Sequence, residues 1–123
     1  LPWYPGVTTS NDNSCVIKIE YLGHTILLCA DIQAQGIAAL TANSNELKTD
    51  VFQIPHHGSF VNNLDVLLDA VQPLYAFINT SEGVVSNKTL DNLQSRHIIV
   101  LQTHQEGAIT FTVDSSGIRY TTF

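Results

Sequence analysis

Two adjacent histidines follow a short apolar segment in the stretch "DVFQIPHHGS", residues 50–59. His56 and His57 could bind a metal ion, act as a catalytic base, or form only a polar turn at the end of a strand. Asp31 stands in a similar position, directly after the apolar stretch "TILLCA". Because residues that follow strands at one edge of a sheet gather in a shared crevice, we expect Asp31, His56 and His57 to form a cluster there.

The two histidines cannot both address one target from a regular strand, because successive strand residues point to opposite faces. A bend after Pro55, which Gly58 permits, would allow it. We expect His57 to be a metal ligand and His56 to be its orienting neighbour or an alternate ligand. Asp31 is either the second ligand or the N-cap of a helix. Imidazole and carboxylate suit zinc, manganese or iron, but two protein ligands hold an ion weakly, since a catalytic zinc site uses three plus water.

Other polar residues are weaker candidates. We expect His24 to be exposed at a hairpin turn, His97 to open a strand, and His104 to lie in a turn, "THQEGA", that could reach a neighbouring site. Asp12 is either a further metal-site residue or part of an Asx turn that starts a strand. Ser59 lacks a nucleophile elbow and is better explained as a helix cap.

The elements that must position these residues alternate between strands and helices. A hairpin is predicted by "CVIKIEY" and "HTILLCAD", with further strands at "DVFQI", "LYAFIN", "HIIVL", "GAITFTV" and "IRYTTF", and helices over residues 32–42, residues 63–71 and "NKTLDNLQS". This order predicts one domain over residues 1–123 with an α/β fold: a mixed sheet, flanking helices and antiparallel strands at both ends. Residues 1–13 are expected to be an irregular lead-in.

The register of the first hairpin leaves two alternatives. A two-residue loop would pair Tyr21 with His24, whereas a different turn would bring Cys15 opposite Cys29, where a disulfide could form. Adjacent strands often lack the geometry that a disulfide needs, so we favour two free cysteines.

Composition narrows the classes of function. The chain has 123 residues, of which 44% are hydrophobic, enough to bury one core. No stretch approaches the roughly 18 to 20 apolar residues of a membrane helix, so we expect a soluble chain. A net charge of −6 with five Lys and Arg argues against binding of the nucleic-acid phosphate backbone by the chain's own Lys and Arg side chains. Chemistry on nucleic acid would therefore need a metal ion or a partner's charge.

Four segments, taken in order, resemble a known family. The stretches "NDNSCVIKIEYLGHTILLCADI", "TDVFQIPHHGS", "AVQPLYAFINTSEG" and "THQEGAITFTV" are similar to the second half of the metallo-β-lactamase-like domain of ComEC-type DNA-internalisation proteins. The likeness spans nearly the whole chain, and "PHHGS" matches without change. It implies half of an αββα metallo-β-lactamase-type sandwich, and it places Asp31 at the aspartate position that binds or bridges metal in that fold.

Two features depart from that family. Its main metal motif, His-x-His-x-Asp-His, belongs to the first half of the fold and does not occur in these 123 residues. A Gly-His-Pro segment follows the strand equivalent to "LYAFIN" in many relatives, whereas this chain has Val84 and Val85 in the corresponding stretch "SEGVVSNKTL". The resemblance therefore implies that the fragment alone is inactive and that catalysis, with zinc or manganese, requires the intact parent.

The family resemblance also implies a biological setting. The parent would be a bacterial inner-membrane channel for single-stranded DNA, with this domain outside the cytoplasm as a metal-dependent nuclease on the strand that is not transported. Its partners would be DNA, the channel domain and the missing N-terminal half of the fold. The absent histidine at positions 83 to 86 favours an alternative, a non-catalytic structural or docking module. Half a sandwich also leaves apolar surface uncovered, so a homo-oligomer is a further expectation.

Overall fold

Seven strands and four helices follow one another in residues 10–43 and 46–123, the part of the chain that the computed structural model describes. The strands are β1 (Ile17–Tyr21), β2 (His24–Leu28), β3 (Val51–Gln53), β4 (Tyr75–Ile78), β5 (Ile99–Gln102), β6 (Ile109–Asp114) and β7 (Gly117–Thr122). The helices are α1 (Ala34–Asn43), α2 (Leu64–Val71), α3 (Asn87–Ser95) and α4 (Thr103–Glu106). Most of the predicted lead-in lies outside the described residues, and Asn11–Asn13 forms one 3₁₀ turn.

The strands form a five-stranded sheet and a separate hairpin. The sheet has the order β1-β2-β3-β4-β5, in which β1 is antiparallel to β2 and the remaining pairs are parallel. Strands β6 and β7 pair with each other in antiparallel fashion. The predicted α/β fold, with a mixed sheet and antiparallel strands at both ends, is confirmed. Helix α4 was not predicted, because only a turn was expected between β5 and β6.

The β1–β2 hairpin has the register of a two-residue loop. Tyr21 pairs with His24, and the loop residues Leu22 and Gly23 have positive φ of 49° and 79°. These two left-handed residues suit the tight turns that close twisted hairpins. This pairing excludes the register that would place Cys15 opposite Cys29, and both cysteines are free.

The two thiols should differ sharply in reactivity. Burial raises the pKa of Cys29 to about 12, so this thiol stays protonated at mildly alkaline pH, whereas Cys15 is exposed. We expect a thiol reagent to modify Cys15 rapidly in the native protein and Cys29 only after unfolding in guanidinium chloride. A Cys15→Ser variant should lose the rapid phase, and two rapid phases in the wild type would contradict the buried position of Cys29.

One face of the sheet builds the core. Leu27, Phe52 and Ala76 are neighbours in the strand register and point to the same face. They are buried in one cluster with apolar residues of the helices, among them Ile37, Leu40, Leu64, Leu67, Leu68 and Leu93. The sheet is therefore anchored to α1, α2 and α3 on this side, which fixes the ends of the parallel strands.

The opposite face is covered only in part. The ring of Tyr75 lies 5.8 Å from that of Phe111 and 5.4 Å from that of Tyr120, so the β6–β7 hairpin packs over β4. At the far end of the same face, Ile19 is 43% exposed and Tyr21 is 60% exposed. An apolar strip along β1 is thus open to solvent in the described part of the chain.

Asp12 caps helix α1 from outside the helix. Its Oδ1 accepts hydrogen bonds from the backbone N–H groups of Gln33 (2.7 Å) and Gly36 (2.8 Å). Neither predicted role, a metal-site residue or an Asx turn, describes this contact. A Cβ at position 36 would lie 2.9 Å from the same Oδ1, so glycine permits the carboxylate to approach. Because Asp12 accepts from these N–H groups, α1 does not need the Asp31 carboxylate as its cap.

Candidate functional site

Asp31 and His57 meet at one edge of the sheet. Asp31 follows β2 and His57 follows β3, and these parallel strands end at the same edge. The Nε2 atom of His57 lies 3.4 Å from Oδ1 of Asp31, and the two side chains are 50% and 43% exposed. The expected meeting of the two residues is confirmed, while their role as metal ligands stays a prediction.

The backbone of the "PHHGS" segment is left-handed at three successive residues. His56, His57 and Gly58 have φ of 55°, 54° and 82°. Left-handed conformations are uncommon outside glycine, and they concentrate at functional sites. The backbone N–H of His56 donates to the carbonyl of Ala30 at 3.0 Å, which ties the turn to the end of β2. The predicted bend thus occurs at the histidines themselves as well as at Gly58.

His56 and His57 point to different neighbours. Asn11 Nδ2 lies 3.4 Å from Nε2 of His56, and Nδ1 of His56 is buried with no hydrogen-bond partner among the described residues. In residues 10–43 and 46–123, no three His, Cys, Asp or Glu side chains are grouped so that they could hold a metal ion. His56 therefore does not complete a three-ligand site with Asp31 and His57.

The tautomer of His57 follows from its hydrogen bond. Nδ1 lies 2.7 Å from the carbonyl oxygen of Asn79. A carbonyl only accepts, so Nδ1 carries the hydrogen and donates it. In the neutral ring the Nε2 lone pair then faces the Asp31 carboxylate, and two acceptors at this separation repel each other. A metal ion held between the two atoms would remove that repulsion.

The pair fits two ligands of a divalent ion. Metal-binding histidines commonly donate their second ring N–H to a backbone carbonyl or carboxylate, as His57 does to Asn79. Two ligand atoms bonded at about 2.0–2.1 Å on a tetrahedral zinc ion lie roughly 3.3–3.4 Å apart. The observed distance of 3.4 Å between His57 and Asp31 matches this spacing.

A pocket of about 480 Å³ opens beside His57. It is lined by His57, Asn79, Thr80, Ser81, Val84 and Thr103. The hydroxyl of Thr103 donates to the carbonyl of Thr80 at 3.0 Å and accepts from the Thr80 N–H at 2.9 Å, which joins the ends of β4 and β5. Val84 presents an apolar side chain to the pocket, and among the described residues that line it His57 alone carries an imidazole.

Two residues of the site were missed by sequence reasoning, Gln53 and Asn79. The Gln53 Oε1 accepts from the backbone N–H groups of Cys29 (3.1 Å) and Ala30 (3.0 Å). Its Nε2 donates to Oδ1 of Asn79 at 3.2 Å. A polar residue within the buried segment "DVFQI" and an asparagine at the end of "LYAFIN" were the available signals.

The weaker candidates lie elsewhere. His24 is half-buried, with Nδ1 3.4 Å from Oδ2 of Asp50 at the opposite end of the sheet, so its predicted exposure is wrong. His97 does not open a strand but lies in a left-handed turn before β5 (φ 57°), and His104 is exposed on α4. Ser59 does not cap α2, whose N-cap residue is Asn63.

The described residues include no helix with the length and apolar character of a membrane span.

Curated proteins of bacterial competence are similar to this chain. It is 27% identical over 114 residues to competence protein ComA of Neisseria gonorrhoeae, covering 89% of this chain and 16% of that protein. It is 28% identical over 114 residues to ComE operon protein 3 of Bacillus subtilis, covering 89% and 15%. It is 36% identical over 72 residues to recombination protein 2 of Haemophilus influenzae, covering 57% and 9%. A scan against protein-family models found no match.

These similarities confirm the resemblance to ComEC-type competence proteins over most of the chain. The chain spans 16% or less of the length of these three relatives.

Proposed function

We propose that this chain is the C-terminal half of a metallo-β-lactamase-type αββα domain in a DNA-uptake protein, and that the intact parent is a metal-dependent phosphodiesterase acting on DNA. The strand that is not transported is the proposed substrate, and the channel domain and the N-terminal half of the fold are the proposed partners. The parent is proposed to lie in the bacterial inner membrane with this domain outside the cytoplasm. The similarity to competence proteins supports the DNA-uptake setting.

The contact between Asp31 and His57 carries the enzymatic part of the proposal. Asp31 supplies a carboxylate oxygen and His57 supplies Nε2, 3.4 Å apart at the carboxyl ends of parallel strands. A divalent zinc or manganese ion, when bound, would activate water and neutralise charge on the scissile phosphate. The carbonyl of Asn79 holds the His57 ring so that Nε2 stays directed towards Asp31. A bound cation would also let a chain of net charge −6 approach a phosphodiester.

The uncovered strip on β1 supports a missing half of the sandwich. Ile17, Ile19 and Tyr21 are exposed on one face, and relatives extend far beyond the segment that this chain matches. We propose that the N-terminal half of the parent's domain covers this strip. The isolated chain should then self-associate through the strip at high concentration, and light scattering that shows a strict monomer would count against an uncovered apolar face.

Substitution of Asp31 in the intact parent tests the enzymatic proposal. We expect the wild-type domain to cleave single-stranded DNA with Mn²⁺ or Zn²⁺, and Asp31→Asn to lose most of this activity and of the bound metal. Asp50→Asn is the matched control, because Asp50 also lies 3.4 Å from a histidine but at the other end of the sheet. The control should keep both metal and activity.

Two outcomes would change the conclusion. Full metal retention in Asp31→Asn would remove Asp31 from the site. A folded wild-type parent that neither binds metal nor cleaves DNA would favour the alternative, a non-catalytic structural or docking module of the channel. The position of Val84 in the pocket and the lack of a three-ligand group in the described residues favour that alternative.

A further inference from the structure

We propose that Gln53 is a positioning residue that sets the directions of Asp31 and His57 together. This inference rests on the proposed function, since it assigns a role at the same site. One side-chain amide contacts the segments that follow two different strands. Its Oε1 accepts from Cys29 and Ala30 after β2, and its Nε2 donates to Asn79 after β4.

The two residues that follow β2 need an acceptor for their N–H groups because backbone pairing with β3 ends before them. Pairing between β2 and β3 ends at Leu27 and Phe52, so the N–H groups of Cys29 and Ala30 lie beyond the ladder. The Gln53 carbonyl accepts both of them, at 3.1 and 3.0 Å. The Cys29 N–H is part-buried, where a backbone donor without a partner is costly, and the Gln53 side chain provides that partner.

The same contacts hold a strained residue beside Asp31. Ala30 has φ of 49°, a left-handed conformation that an alanine adopts only when its surroundings impose it. Gln53 binds the Ala30 N–H, and the His56 N–H binds the Ala30 carbonyl at 3.0 Å. Because Asp31 is the next residue, the conformation of Ala30 determines where its carboxylate points.

The other end of the amide acts on His57. Gln53 Nε2 donates to the side chain of Asn79 at 3.2 Å, and the main-chain carbonyl of Asn79 accepts from Nδ1 of His57 at 2.7 Å. Fixing Asn79 thus fixes the acceptor that selects the His57 tautomer. The side chain at position 53 accepts hydrogen bonds from two backbone N–H groups and donates one to Asn79. An amide can do both, whereas an aliphatic side chain can do neither.

Nuclear magnetic resonance on the full chain, first without metal, can test this role. Gln53→Met keeps the length of the side chain but removes its hydrogen bonds. We expect faster hydrogen exchange at the Cys29 and Ala30 amides and a mixture of His57 tautomers in place of the Nδ1–H form. Gln53→Glu, which keeps the acceptor, should retain slow exchange at both amides. Gln94→Met, an exposed substitution on α3, is the matched control and should change none of these signals.

A metal titration adds a second readout. In the wild type, Mn²⁺ should broaden the resonances of Asp31 and His57. Gln53→Met should need about 10 times more Mn²⁺ for the same effect, the lower end of the loss caused by removing a direct partner of a ligand, because Gln53 acts on His57 through Asn79. If Gln53→Met does not fold, Asn79→Ala, at an exposed position, tests the link instead and should also yield mixed His57 tautomers.

The two proposals fail in different ways. Wild-type exchange rates and a pure Nδ1–H tautomer in folded Gln53→Met, or an unchanged tautomer in Asn79→Ala, would overturn the positioning role. Altered exchange and tautomers without any Mn²⁺ broadening in the wild type would support the positioning role and contradict metal binding by Asp31 and His57 within this chain alone. Metal retention by Asp31→Asn in the intact parent would contradict the proposed function.

Discussion

Alanine at position 58 is expected to lower the free energy of unfolding by about 2–5 kcal/mol, as measured by urea denaturation. Gly58 has φ of 82°, a region that costs other residues about 1–2 kcal/mol. A Cβ at this position would also lie 2.9 Å from Cγ2 of Ile78 and 3.1 Å from Cγ2 of Val85. Ile78 is fully buried, so its side chain cannot move away from the added methyl group without losing packing contacts. Overpacking of this kind costs about 1–3 kcal/mol.

Gly83→Ala separates the two causes. Gly83 has nearly the same φ, 80°, but a Cβ there would meet no atom within 4 Å. We expect this control to lose only the backbone contribution of about 1–2 kcal/mol. Equal losses in the two variants would show that contact with Ile78 and Val85 contributes nothing to the cost at position 58.

Gly58→Ala should also disturb the candidate site. The carbonyl of Gly58 accepts from the N–H of Ser86 at 3.0 Å, so the histidine turn and the loop that contains Val84 are held together. A displaced Gly58 would move both walls of the pocket beside His57. Stability and the geometry of the pocket therefore both depend on Gly58.

Most of the fold was predictable from local patterns. Helix α3 has the predicted bounds, Asn87–Ser95, because Ser86 precedes it and accepts a hydrogen bond from the Lys88 N–H as an N-cap. Helix α4 was missed because its four residues, Thr103–Glu106, are too few to show a helical period. The meeting of Asp31 and His57 was predictable because each follows a strand, and residues that follow strands at one edge of a sheet lie together.

The details of the site depended on long-range contacts that local patterns do not reveal. The left-handed backbone at His56 and His57 is fixed partly by the bond to Ala30, and it turns the two rings towards different neighbours. Asp12 caps α1 across more than twenty residues of sequence, so this helix does not use Asp31 as its cap, while the role of Asp31 as a ligand stays a prediction. Neither contact has a signature in the adjacent sequence.

Histidine at position 84 is expected to raise the affinity of the chain for Zn²⁺ at least about tenfold, which corresponds to about 1.4 kcal/mol. Val84 is 39% exposed and lines the same pocket as His57. Asp31 and His57 offer two ligands, whereas catalytic zinc sites use three protein ligands and water. An imidazole at position 84 would supply the third. Competition with a chromophoric zinc chelator measures the change.

Two comparisons decide whether the gain comes from this site. Val66→His places the same imidazole at an exposed position on α2, and it should change the affinity little. Adding Asp31→Asn to Val84→His should abolish most of the gain, because the ion would again have two ligands. If Val84→His and Val66→His bind Zn²⁺ equally, position 84 does not share a common point with Asp31 and His57. The docking-module alternative would then gain support over a hydrolase that lacks one ligand.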